Sequence, residues 1–380
     1  MPVIFRANPA KSYSLMRRIC TFVVSPAFVV LLMAILLVAT AIALAGGDSL
    51  ALARLGTRFS QADPQGSEGY DGQFVYYIAL HPSPRAVAAY LDVPAYRYQR
   101  ILLPLLTRML ALGSPALVPW ILPLIGILAL TIGTWALSEL LVGWGTSRWY
   151  ALVYGYWAGF SLALVVDLPE PLAYGLVVCG ILALERNRNW LGWCLLGLAV
   201  FARETTLLFV VAALAAYLSQ GNFRQSVGLS IVALVPFMFF QAWLWVVFGQ
   251  PGLASGGAMA TPFELIPYMG LLRIGQVSMV YLLAMFIVFV PTVVLPSLWG
   301  VYSSALGWLK GEKNLIVAAL FVNSLVIAFT PFSTFRETGG IIRFATGLVL
   351  AVLLFAGRYR QRRVLNYSLF WVVLNVFLIK

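Results

Sequence analysis

The chain has 380 residues, 62% of them hydrophobic and only 10% charged. A water-soluble fold of this length cannot hide so much apolar surface, so the bilayer is its solvent. The net charge of +12 falls mostly in short segments between apolar runs, where it sets orientation and meets anionic lipid; with no solvated basic domain, nucleic-acid binding is excluded.

Arg6, Lys11, Arg17 and Arg18 precede the first apolar run, so the positive-inside rule places residues 1–19 in the cytoplasm. The run itself, about 21–45, ends in Ala43-Leu44-Ala45, a possible signal cleavage site, but it is longer than a signal h-region and is expected to be a retained anchor. Residues 47–96 are rich in Gly, Pro, Ser and charge and are expected to be the only long loop. Residues 97–112 are apolar but short and contain Arg108, which suits an interfacial helix on the outer face. Residues 47–112 are thus expected to be extracytoplasmic.

Further spans are expected at about 115–142, 148–167, 169–185, 189–203, 204–219, 226–247, 275–300, 314–331, 341–357 and 364–379. With the first, these make eleven, in one integral membrane domain over 1–380 whose bundle occupies 115–380. The runs are continuous rather than alternating, so the expected fold is an all-α polytopic bundle and not a barrel. In this arrangement every inner loop is basic, through Arg148, Arg186, Arg188, Arg224, Lys310, Lys313, Arg358, Arg360, Arg362 and Arg363.

The same arrangement gathers ten of the thirteen acidic residues on the outer face, leaving out Glu139, Glu185 and Glu312. Four polar clusters converge there: Glu68, Asp71, Arg97 and Arg100; Asp167 and Glu170; Arg203 and Glu204; and Arg336, Glu337 and Arg343. Ionisable groups at membrane depth are costly and mark sites or pathways. Apart from the terminal Lys380 the face has arginines and no lysine, which favours planar recognition of phosphate or carboxylate. Plainer roles stand beside these. Asp71 and Glu170 suit helix N-termini. Arg203 and Glu204 can pair with each other, and Tyr76, Tyr77, Tyr96 and Tyr98 can form an interfacial belt. Cys20, Cys179 and Cys194 lie in or at the ends of apolar runs and His81 is alone, so no metal site and no cofactor is expected.

The stretches Tyr70-Asp71-Gly72-Gln73-Phe74, Tyr96-Arg97-Tyr98-Gln99-Arg100, Glu170-Pro171 and Arg203-Glu204-Thr205 resemble bacterial membrane proteins of the GT-C glycosyltransferase superfamily. The nearest resemblance is to the set named for cell-surface glycopolymer formation, akin to polyprenyl-phosphate mannosyltransferases. It covers about residues 15–220. It implies a plasma-membrane enzyme with an acidic catalytic residue in its first external loop, where Asp71 falls. The implied donor is a polyprenyl-phosphate sugar and the acceptor a cell-envelope glycan, lipid or protein. Many members carry two neighbouring acids in this loop; here Gly72 follows Asp71 and the nearest acid is Glu68.

Under that reading Asp71 is the general base. Tyr70, Gln73, Arg97, Arg100, Asp167, Glu170, Arg203, Glu204, Glu337 and Arg343 are expected to bind substrate, with Arg97, Arg100, Arg203 and Arg343 on the lipid phosphate. A transporter or flippase of lipid-linked sugars, and a non-catalytic subunit of a membrane complex, are the alternatives.

Overall fold

The computed structural model describes residues 24–378. Residues 1–23, with Cys20 and the four basic residues expected in the cytoplasm, lie outside the described part, as does Lys380. The described residues are helical segments joined by turns, with no strand among them.

Helix α1 (Pro26–Leu44) starts at Ser25, whose side chain accepts from the Phe28 amide at 3.3 Å, with Pro26 in the first turn where a missing N–H is harmless. Next come α2 (Gly72–Leu80), α3 (Pro94–Tyr98), α4 (Leu102–Leu110) and α5 (Val118–Gly143). Then follow α6 (Ala158–Val165), α7 (Glu170–Glu185), α8 (Asn189–Ala202), α9 (Leu207–Ser219) and α10 (Phe223–Phe248). The last are α11 (Met279–Leu309), α12 (Leu315–Ala328), α13 (Phe332–Arg336), α14 (Thr338–Arg358) and α15 (Arg362–Ser368).

Five of these, α1, α5, α10, α11 and α14, are long and apolar enough to cross a membrane. They differ in what they face. In α14, 83% of the most apolar stretch is buried, against 22% in α1 and α10 and 28% in α11. Thus α14 is the central helix, and the other three turn most of their apolar surface outward, as lipid contact requires. In α1 the buried residues Val30, Ala34 and Val38 recur every four positions and pack on α5.

Helix lengths set the depth of the polar groups. α5 and α7 pack together, and their near ends are tied where Trp144 Nε1 donates to Glu185 Oε2 at 3.1 Å. From that level α5 rises about 39 Å and α7 only about 24 Å, at 1.5 Å per residue. The Glu170 end of α7 is therefore recessed below the Val118 end of α5. α8 is shorter still and ends at Ala202.

Several segments differ from the sequence expectation. The expected span 148–167 is broken: a short 3₁₀ turn and helix run to Gly155, and α6 begins at Ala158. The apolar run 97–112 is two short helices, α3 and α4, meeting at Gln99–Ile101. In loop 47–96, α2 buries Phe74, Tyr77 and Ile78. That loop is not the only long one: residues 249–278 make a second connection whose helices are one turn each.

α11 also runs on to Leu309, past the expected end near 300. Proline lacks an amide and collides with the carbonyl four residues earlier, Val232 for Pro236 and Thr292 for Pro296. In each helix that carbonyl lies within a wider π-helical turn, Ser230–Leu234 in α10 and Val290–Val294 in α11, which lets the helix continue.

The two ends of the bundle have different chemistry. One end carries Arg186 on Glu139, Arg358 on Glu185 and Tyr359 on Glu312. The other carries the remaining described acids. Ser67 and Ser333 lie at this second end, and Asn187 and Gln361 at the first. Single cysteines in a chain lacking Cys20, Cys179 and Cys194 should label accordingly. A membrane-impermeant thiol reagent is expected to modify positions 67 and 333 from one side and 187 and 361 only from the opposite side. Modification of all four from one side would refute a spanning bundle.

Candidate functional site

Two glycines allow the first loop to reach the bundle. Gly69 has φ +69°, and a Cβ there would lie 2.4 Å from the Arg54 carbonyl oxygen. A Cβ on Gly72 would lie 2.2 Å from the Val166 carbonyl oxygen, so only glycine lets the start of α2 rest on the turn before α7. Asp71 precedes α2 in helical conformation, φ −57° and ψ −27°, and makes no capping hydrogen bond. Its carboxylate is free to face arginines.

Those arginines form an alternating chain of charge. Asp92 accepts from Arg97 Nε at 2.7 Å and from Nη2 at 2.8 Å. Arg97 Nη1 lies 3.0 Å from Asp71 Oδ1, and its guanidinium covers the Phe74 ring at 4.4 Å. Arg343 Nη1 donates to Asp71 Oδ2 at 3.0 Å and to the Tyr70 hydroxyl at 3.2 Å. Arg343 Nε donates to Glu170 Oε1 at 2.6 Å. Arg203 Nη1 rests against the same Glu170 oxygen. Beside this chain Arg100 grips Glu204 with two bonds, Nε to Oε2 at 2.8 Å and Nη2 to Oε1 at 2.6 Å, and Nη2 also reaches the Tyr96 hydroxyl at 2.6 Å.

A cavity of about 650 Å³ opens onto this chain. Of the residues expected from sequence, Tyr70, Asp71, Gln73, Arg97, Arg203, Glu337 and Arg343 line it. Glu170 lies beneath, fully buried, joining Arg203 to Arg343. Arg100 and Glu204 are outside the lining and occupied by each other. Asp167 is also outside it. It is buried with φ 51°, and neither carboxylate oxygen has a hydrogen-bond partner. Gln73 lines the cavity, but its amide staples the loop, accepting from Gly56 N at 3.0 Å and donating to Glu68 O at 2.6 Å. Glu337 is 60% exposed at the rim, 3.9 Å from Arg336.

Arg203 and Glu204 do not pair with each other. Arg203 is extended, φ −156° and ψ 125°, which sends successive side chains to opposite sides. Arg203 goes to Glu170, and Glu204 to Arg100. Arg203 Nε and Glu170 Oε2 are buried and make no hydrogen bond, while Arg203 Nη1 is held in the ion pair with Glu170 Oε1. Arg97 has all three nitrogens on carboxylates, whereas Arg100 and Arg343 each place Nε and one terminal nitrogen on carboxylates and tyrosine hydroxyls.

Asp92 is the residue that sequence reasoning missed. Its signal was Asp92-Val93-Pro94, an acid just before a helix start and about one turn ahead of Arg97. The second connection was missed as well, although Gly257 through Ala260 line the cavity and Ala258 N donates to Asp92 Oδ2 at 3.4 Å. Among the described residues no group of three His, Cys, Asp or Glu is arranged to hold a metal.

Burial acts to raise the Asp71 pKa, and the charges of Arg97, Arg343 and Arg100 outweigh it, holding the carboxyl well below the usual carboxylate range. Asp92 is lowered too: burial opposes, and Arg97 prevails through its hydrogen bonds and its charge. Both stay ionised at neutral pH. No family model, curated protein or solved structure matches this chain.

The Arg100–Glu204 pair is low in exposure, at 7% and 16% of the side chains, and its geometry serves as a strut. Glu204→Ala is expected to lower unfolding stability by about 3–5 kcal/mol, because it strands a buried guanidinium. Replacing both, Arg100→Leu with Glu204→Leu, should recover most of the loss. Thermal unfolding in detergent measures both. A mild Glu204→Ala effect that the second change does not repair would remove the strut role.

Proposed function

We propose that the chain is an integral-membrane glycosyltransferase of GT-C type. It would transfer a sugar from a polyprenyl-phosphate donor to a cell-envelope glycan, lipid or protein. The observation that supports this best is the cavity itself. An ionised carboxylate, Asp71, is 27% exposed there and is linked through Arg343 and Glu170 to Arg203, and both arginines line the same cavity. A cavity near 650 Å³ suits a sugar with its phosphate.

In the proposed step the acceptor hydroxyl oxygen attacks the anomeric carbon and its proton passes to Asp71. The bond from that carbon to the phosphate oxygen breaks, and its electron pair leaves with the lipid phosphate. A single displacement inverts the anomeric centre. Arg203, with Arg343 beside it, receives the phosphate; planar guanidinium groups suit its oxygens. Arg343 holds Asp71 in the free protein, so a phosphate drawing on Arg343 relieves the base of one cation as the donor settles. The Asp92–Arg97 pair keeps the second cation neutralised.

The same reading places the protein in a bacterial plasma membrane. Its basic end faces the cytoplasm and its cavity the outside, and shorter and broken helices complete eleven crossings. A lipid-linked sugar transporter would need polar groups through the midplane. The charged pairs of this bundle instead sit at its two ends.

Asp71→Asn keeps the shape but cannot take a proton, so turnover of a polyprenyl-phosphate sugar by the purified variant should fall at least about 10²-fold. Arg203→Lys should weaken the donor's KM severalfold, with Arg203→Ala worse. Wild-type turnover in Asp71→Asn would defeat the base, and unchanged KM in both arginine variants would defeat the phosphate site.

The pH dependence has a definite sign. A base whose pKa is depressed stays deprotonated as the pH falls, so kcat/KM should be flat from about pH 8 to about pH 5. An acid limb with a midpoint above about pH 6 would show that another group is the base.

A further inference from the structure

The connection between α10 and α11 has the character of a membrane-surface element. From Met259 to Pro267 its only charged residue is Glu264. Glu264 is turned inward, 8% exposed, with Arg273 Nη2 at 3.1 Å. The neighbouring apolar side chains away from the cavity point outward: Phe263, Leu265 and Ile266 are all exposed, Leu265 at 93%.

This is not a slack loop, because its backbone is fastened to the protein. Thr261 N donates to Ser333 Oγ at 3.0 Å, and Ser333 N returns a bond to Thr261 Oγ1 at 3.0 Å. Glu264 N donates to the Phe329 carbonyl at 3.0 Å, and Tyr268 N to that of Ala328. These carbonyls stand at the end of α12, where a helix leaves acceptors without partners. The polar backbone is thus satisfied inward while the apolar side chains are held outward.

Water gives no reason for such an arrangement, since soluble surfaces rarely carry contiguous apolar patches of this kind. Lipid does. The segment joins α10 and α11, two of the helices with the most outward-facing apolar surface, and continues that surface around the cavity end. Its other edge, Gly257 to Ala260, is cavity wall.

We propose that residues 259–266 are immersed in the bilayer interface and form the wall between the Asp71 cavity and the acyl chains. The occupant of their outer face is phospholipid. Resting on the transfer reading above, one consequence follows: a long-chain donor keeps its tail in the bilayer and passes only its head group around this wall.

The test uses the full-length chain without its native cysteines, reconstituted in nanodiscs of phosphatidylethanolamine and phosphatidylglycerol. An environment-sensitive fluorophore is attached at Leu265→Cys or, as a comparison, at Gln65→Cys in the first loop. At 265, blue-shifted emission, quenching by brominated lipid and protection from iodide are expected, and the reverse at 65. Iodide quenching at 265 equal to that at 65, with none by brominated lipid, would overturn the proposal. A second variant, Leu265→Asp with Ile266→Asp, is expected to raise KM severalfold for a long-chain polyprenyl-phosphate sugar and leave it unchanged for a short, water-soluble analogue. Equal effects on both donors would overturn the wall role. If the wild-type protein turns over neither donor, the transfer reading fails, and the fluorescence result alone decides the membrane contact.

Discussion

The arrangement depends on one buried carboxylate. Glu170 has no exposure to solvent and touches two arginines, Arg203 from the end of α8 and Arg343 from α14. A charge so placed is tolerable only when paired, and each arginine in turn needs the carboxylate. Through Arg343 the constraint passes to Asp71, through Asp71 to Arg97, and through Arg97 to Asp92 in the first loop. The loop, the recessed ends of α7 and α8 and the central helix are therefore held by a single alternating chain of charge. Removing any link leaves an uncompensated ion, so the cluster specifies the position of the loop as well as the chemistry of the cavity.

Helix length puts that cluster where it can act. α7 ends and α8 begins level with the basic end of the bundle, and both are too short to match α5, so their far ends stop below its tip. The first loop fills the space above through α2, and the connection between α10 and α11 closes one side. The cavity is thus partly walled by segments that are neither spanning helices nor free loops.

The chain's class and its main site residues were legible because both rest on charge and hydropathy. A 62% hydrophobic chain with its charges at the ends of apolar runs must be a membrane bundle, and Asp71, Arg97, Arg203 and Arg343 are arginines and an acid at those ends. Partners were not legible. Arg203 and Glu204 are adjacent in sequence, yet an extended backbone sends them apart, and each finds a residue 33 or 104 positions distant in Glu170 and Arg100. Periodicity could not separate lipid-facing helices from the buried α7 and α14, since both are apolar all round. Nor could proline be relied on as punctuation, because α10 and α11 absorb theirs in π turns. The 249–278 connection fell between two expected spans, but its few charges gave no sign that it would wall the cavity.

The charge count of the cluster bears on how transfer would proceed. Four acids, Asp71, Asp92, Glu170 and Glu204, face four arginines, Arg97, Arg100, Arg203 and Arg343. With formal charges balanced, a phosphate entering the cavity would meet no net positive charge from the cluster, and its affinity would have to come from arginine donors that the carboxylates leave free. Under the proposed transfer, the acceptor's proton reaching Asp71 would neutralise one negative charge of the cluster. At the same moment the lipid phosphate, leaving with the electron pair of the broken bond, would gain one. In the proposed transfer the arginines would come into excess only as the bond breaks, so the stabilisation would favour the transition state and the departing phosphate over the bound donor.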